Sequence, residues 1–136
     1  MVLPLISTAE LERLNSVAAL VGDTPITLSD VKMQTAPVEQ VIYQQFASDP
    51  ATLRQRILEV RQKALESLIE RHLILKDFEK QGYLLPENII DERVKERIRS
   101  DFGDRLTLTK TLQAQGVTYE SFRKDIKEQV IVDFLS

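Results

Sequence analysis

His72 is the only histidine among the 136 residues, and no cysteine accompanies it. A histidine base needs an acid to orient it and a nucleophile within hydrogen-bond reach. On a helix its neighbours three and four residues away would be Leu68, Ile69, Leu75 and Lys76, none of them an acid. His72 therefore reads as a packed or surface histidine with a satisfied ring nitrogen, although it is the one candidate base if the chain were a hydrolase or an isomerase. The carboxylates offer a second chemistry. Glu87 with Asp91 and Glu92 with Glu96 stand four residues apart, a spacing that can hold a divalent cation through oxygen ligands. Arg93, Lys95, Arg97 and Arg99 crowd the same stretch and oppose a cation, so the segment reads as a solvated mixed-charge face with Asp91 pairing to Lys95. Glu59 with Lys63 and Glu120 with Lys124 repeat that helix-supporting spacing.

Other site classes fail on residue type. Without cysteine there is no thiol nucleophile, disulfide framework or Cys-ligated zinc. Gly22 stands alone, so no phosphate-cradling loop is present. Arg123, Lys124 and Lys127 alternate with acids, and the net charge is −3, so nucleic acid is not an expected partner. No cofactor and no metal is expected. The longest unbroken apolar run, Val17 to Val21, falls far short of the ~20 residues of a membrane span. What is left is apolar surface: 43% of the residues are hydrophobic against 29% charged, the balance of a folded protein rather than a disordered one.

The elements that present this surface are punctuated clearly. Ser7-Thr8-Ala9-Glu10 has capping-box spacing and opens a short helix to about Asn15. Val17–Val21, the turn Gly22-Asp23 and Pro25–Leu28 make a hairpin, which needs helices or another chain to lean on. Ser29 is the expected cap of a helix that Pro37 disturbs, with Val31, Met33, Val38, Val41, Ile42 and Phe46 as its apolar residues. Asp49-Pro50 starts a helix of about 32 residues, roughly 48 Å long. It carries one apolar stripe through Leu53, Ile57, Val60, Ala64, Leu68 and Leu75 and a second through Leu65, Ile69 and Leu73. Two stripes predict a central helix covered on more than one side between Ala64 and Phe78.

Gly82 caps that helix and Pro86 opens the next, on which Ile90, Val94, Ile98 and Phe102 recur every four residues up to Gly103. Thr107 is the expected cap of a short helix bearing Leu108 and Leu112, closed by Gly116. Thr118 caps the last, striped by Tyr119, Phe122, Ile126, Val130 and Phe134. The expected fold is mainly α: a multi-helix domain with a long central helix and a small N-terminal β-hairpin. Residues 1–15 form a tail and short helix, and 16–136 the domain. Because the last stripe runs to within two residues of Ser136, the chain reads as a fragment of a longer protein.

Three of these segments resemble the SurA-type periplasmic chaperones. Leu20-Val21, Gly22-Asp23 and Pro25-Ile26-Thr27-Leu28-Ser29-Asp30-Val31 resemble the opening of that family. The run from Ala64-Leu65-Glu66-Ser67-Leu68-Ile69-Glu70-Arg71-His72-Leu73-Ile74-Leu75, followed by Gln81-Gly82-Tyr83, is similar to its long-helix signature. Leu112 through Gly116 to Phe122, Arg123 and Ile126 is similar to its closing segment. The resemblance reaches from about Leu14 to the end. It implies a non-catalytic polypeptide-binding domain that holds unfolded or exported outer-membrane proteins in the periplasm or another extracytoplasmic space. In that family the domain precedes parvulin-type prolyl isomerase domains, and a later helix returns to complete it. Neither a parvulin segment nor a returning helix is recognised here, so isomerase activity is not expected of this chain.

The stripes need covering. Leu65, Ile69, Leu73, Tyr119, Phe122, Ile126, Val130 and Phe134 are the expected peptide-binding or dimer-contact residues, with unfolded polypeptides or a second copy as partner. A homodimer with exchanged elements is the expected assembly. The alternative is a purely structural dimerisation or scaffold domain of a larger prolyl isomerase.

Overall fold

The structure is a computed structural model that describes residues 17–136. The helix expected from Ser7, and the proposed tail over 1–15, lie outside the described residues. The chain forms two compact units, one running to Leu73 and the other covering Ile74–Ser136. The expected mainly α fold, with a long central helix and a small hairpin, is borne out.

In the first unit, β1 (Val17–Val21) and β2 (Thr24–Thr27) pair antiparallel, Val21 opposite Thr24 and Val17 opposite Thr27, with one irregularity between Val17 and Ala19. Gly22 makes the turn at φ +60°, a conformation that costs other residues. Helix α1 (Leu28–Gln45) follows without a loop. Its cap is Thr27, not Ser29: the Thr27 hydroxyl accepts from the Asp30 amide at 3.1 Å, and the Asp30 carboxylate accepts from the Thr27 amide at 2.9 Å. That reciprocal pair satisfies two amides at once, which a cap at Ser29 would not.

Pro37 does not interrupt α1. A proline inside a helix frees the carbonyl four residues back. Here that residue is Met33, itself 75% exposed, on the side of the helix that faces solvent. The buried face is also not the apolar one expected. It runs Val31, Thr35, Glu39 and Ile42, while Met33, Val38 and Val41 are exposed. Val21, Ile26, Val31 and Ala64 form the core of this unit.

Helix α2 (Pro50–Lys80) has 31 residues, or about 46 Å. Asp49 caps it by accepting from the Thr52 amide at 3.2 Å. Only Ile57 and Ala64 are buried along its length, so the expected covering on more than one side is not found among the described residues. The helix is long because nothing in it breaks the pattern, not because it is enclosed.

The second unit begins within α2 and continues through α3 (Glu87–Arg97), a π-helical turn (Ile98–Phe102), α4 (Arg105–Gln115) and α5 (Tyr119–Leu135). Ile90, Val94, Ile126 and Val130 form its core. The π-helical turn has a reason in the spacing of the stripe. Residues repeating every four drift by about 40° per step around an α-helix of 3.6 residues per turn. Widening the turn after Val94 cancels the drift, so Ile98 and Phe102 stay half-buried, with Phe102 edge-on to Phe122 at 6.0 Å. Helix α4 is capped by Asp104, which accepts from the Thr107 amide at 2.8 Å, rather than by Thr107. Thr118 caps α5 as expected, accepting from the Ser121 amide at 3.1 Å.

Candidate polypeptide-binding grooves

Helix α2 ends in a motif that builds a surface as well as a stop. Gly82 takes φ +72° and donates its amide to the Glu79 carbonyl at 3.1 Å. In this type of ending the residue after the glycine folds back on the third residue from the helix end. Those residues are Tyr83 and Phe78, whose rings lie 5.9 Å apart. Leu84 is carried outward and is 92% exposed. Together with Leu75 and Ile131 they line an open groove of about 520 Å³. Lys124 and Lys127 of α5 stand along one side, with Glu79 of α2 and Glu128 of α5 also at its edge. The same ending closes α4, where the Val117 amide reaches the Leu112 carbonyl at 2.9 Å, with aliphatic rather than aromatic residues at its two positions.

A second groove, of about 340 Å³, lies in the first unit. Tyr43 of α1 and Pro50, Leu53, Ile57 and Leu58 of α2 supply its apolar lining, and Arg54 and Arg61 its charges. Arg61 is held from behind. Its guanidinium donates to both carboxylate oxygens of Glu39, with Nε 3.0 Å from Oε2, and the Thr35 hydroxyl donates to the same carboxylate. The bond from Arg61 keeps the Glu39 carboxyl below its ordinary range, against the opposing effect of burial. This pair is what allows a carboxylate on the buried face of α1.

The residues singled out from the sequence fall into three settings. Leu65 and Ile69 are half-buried against the hairpin core, and Leu73 is 54% exposed. Ile126 and Val130 are buried against Ile90 and Val94, so their stripe is covered from inside the chain by α3. Tyr119 and Phe122 are half-buried beside that core, and Phe134 is 69% exposed. The covered members are packing residues, and neither groove draws on any of the eight. Tyr83 and Leu84 carried a usable signal: two consecutive large apolar residues directly after a capping glycine have no helix face to join.

The candidate chemical residues are occupied. His72 Nδ1 lies 2.8 Å from the Leu68 carbonyl, a local bond that satisfies one ring nitrogen. Asp91 meets Arg123 of α5 at 2.6 Å rather than Lys95, and Glu87 meets the same guanidinium. Lys95 turns to Glu92, and Glu59 to Arg56. The bonds to Glu87 and Asp91 raise the affinity of Arg123 for its proton and tie α3 to α5. No cluster of three or more His, Cys, Asp or Glu suited to a metal occurs among the described residues.

The described elements are a small hairpin, a long helix and shorter helices, with an apolar groove in each unit. The chain belongs to the SurA-like N-terminal domain family, whose profile matches residues 5–136. The resemblance carried by the hairpin, the long helix and the closing segment is thus borne out. Chaperone SurA of Polaromonas sp. (strain JS666 / ATCC BAA-500) is 27% identical over 119 residues, which are 88% of this chain and 24% of that protein. The chain therefore spans about a quarter of the length of the curated relative it matches. No solved structure matches it. No helix among the described residues is long and apolar enough to cross a membrane.

Proposed function

We propose that this chaperone-family domain binds unfolded polypeptide segments in an extracytoplasmic space, exported outer-membrane proteins among them, without bond chemistry. The observation that carries this reading is the groove of Leu75, Phe78, Tyr83, Leu84 and Ile131. An apolar side chain as exposed as Leu84 is tolerated singly, but grouped with two aromatic rings around a groove it marks a binding surface. The rings are held by a backbone motif rather than by a ligand, so the surface is preorganised and binding orders few protein side chains. Lys124 and Lys127 along its edge keep the groove soluble and donate to backbone carbonyls or acidic side chains of a bound segment.

Suppression of aggregation tests it. The domain is mixed with a denatured exported protein on dilution from urea, and turbidity is followed. Wild type lowers turbidity in proportion to its concentration, and Leu84→Ser combined with Tyr83→Ser loses most of that effect while keeping the helical circular dichroism. Equal suppression by the double variant would contradict the reading.

A second reading is a structural domain that pairs with another copy of itself. Phe134 and Leu135, 69% and 45% exposed at the end of α5, favour it. With Ile126 and Val130 already covered by α3, a dimer needs no exchanged helix on their account, and its contact would rest on these end residues. Multi-angle light scattering decides: a mass that doubles with concentration and reverts in Phe134→Ser supports pairing, and a constant monomer mass removes it.

A further inference from the structure

The groove of the first unit differs from the other in its charge. Two cations line it and no anion does. Arg61 is neutralised by Glu39, which grips it through both oxygens from the far side. Arg54 has no ion-pair partner among the described residues. The acids nearest in sequence are engaged elsewhere: Asp49 accepts from the Thr52 amide and hydroxyl, and Glu59 meets Arg56 and Gln55. One uncompensated positive charge thus borders a surface made of Tyr43, Pro50, Leu53, Ile57 and Leu58, of which Tyr43 and Leu58 are 51% and 62% exposed.

We infer that this groove is a second docking surface, selective for an extended polypeptide segment in which a bulky apolar side chain is followed closely by an Asp or Glu side chain. The apolar side chain enters between Tyr43 and Leu58, and the carboxylate meets the Arg54 guanidinium. Arginine suits this role, because its planar fork donates to both oxygens of a carboxylate at once. Arg61 cannot compete for the ligand, since releasing Glu39 would leave a buried carboxylate without its partner. Glu39 therefore both anchors α1 to α2 and leaves Arg54 as the unpaired cation among the groove's described lining residues. The inference goes beyond the aromatic groove of the second unit, since it concerns different residues and a different preference.

The test uses paired peptides carrying a neutral dye and amidated C-termini, identical except for Asp or Asn two residues after a Phe. Isothermal titration and amide chemical shifts of the full chain give affinity and location. Wild type binds the Asp peptide about threefold more tightly than the Asn peptide at low salt, as expected of a solvent-accessible ion pair, and the ratio falls toward one as salt rises. Arg54→Gln removes the ratio by weakening only the Asp peptide, whereas Arg54→Lys retains part of it. Leu58→Ser weakens both peptides equally. Leu84→Ser, in the other groove, leaves the ratio intact even where it lowers total binding, so failure of the first reading and of this one are told apart. A ratio unchanged in Arg54→Gln, or shifts absent from Tyr43, Leu53 and Leu58, overturns the inference. An Asn peptide with a free C-terminal carboxylate that matches the Asp peptide overturns the assignment to a side chain.

Discussion

Glu39 lies on the buried face of α1. A glutamate in the middle of a helix is normally placed on the wet side. Here it is 7% exposed, while Val38 and Val41 beside it are half in solvent. The partner that makes this tolerable, Arg61, lies 22 positions along the chain on another helix, which no local pattern reveals. The pair also sets an acid limit on stability. Glu39's ordinary value is 4.5 and its folded value is lower, chiefly because Arg61 donates to it. Above about pH 5 both folded and unfolded chains carry the charge and the contribution is complete; below that the unfolded chain takes up the proton first, so stability falls as pH drops through 4.5 toward the folded value. Urea denaturation across this range is expected to show that decline, and Glu39→Gln to flatten it. Arg61→Ala is expected to destabilise by about 1–3 kcal/mol, because it strands a mostly buried carboxylate. His72→Ala, by contrast, should change stability by no more than about 1 kcal/mol, the size of one local hydrogen bond, and leave peptide binding intact.

At the scale of elements, the sequence was legible wherever a rule is local. Gly82, Gly103 and Gly116 all take positive φ at helix ends, Asp49-Pro50 starts the long helix and Thr118 starts the last. Two caps are Thr27 and Asp104 rather than Ser29 and Thr107, because a reciprocal box or a carboxylate outcompetes the nearby hydroxyl. The face of α1 and both grooves were not legible, since each depends on which helix lies opposite. Gly82 and Gly116 separate the two kinds of information. Neither has an atom within 4 Å of an added methyl, so replacing either by alanine meets only backbone strain, about 1–2 kcal/mol. Thermal melts should show similar losses for both. Only Gly82→Ala is expected to weaken peptide binding, because only there does the ending position an aromatic pair in a groove. Packing outweighs the ion pairs between α3 and α5: Ile126→Ala should cost about 2–5 kcal/mol, and Arg123→Ala clearly less.

For the whole molecule, the central claim is that an apolar groove built by a helix ending takes unfolded polypeptide. Of the striped apolar side chains, Leu65, Ile69, Tyr119, Phe122, Ile126 and Val130 are covered or half-covered by the chain's own hairpin and helices. The proposed binding surface consists of residues that the helices leave over. Titration of an isotope-labelled domain with an unstructured, aromatic-rich peptide addresses this directly. Saturable binding, with amide shifts concentrated at Leu75, Phe78, Tyr83, Leu84 and Ile131 and lost in Leu84→Ser, is the expected result. No saturation at high micromolar peptide, or shifts that avoid those five residues, would contradict it.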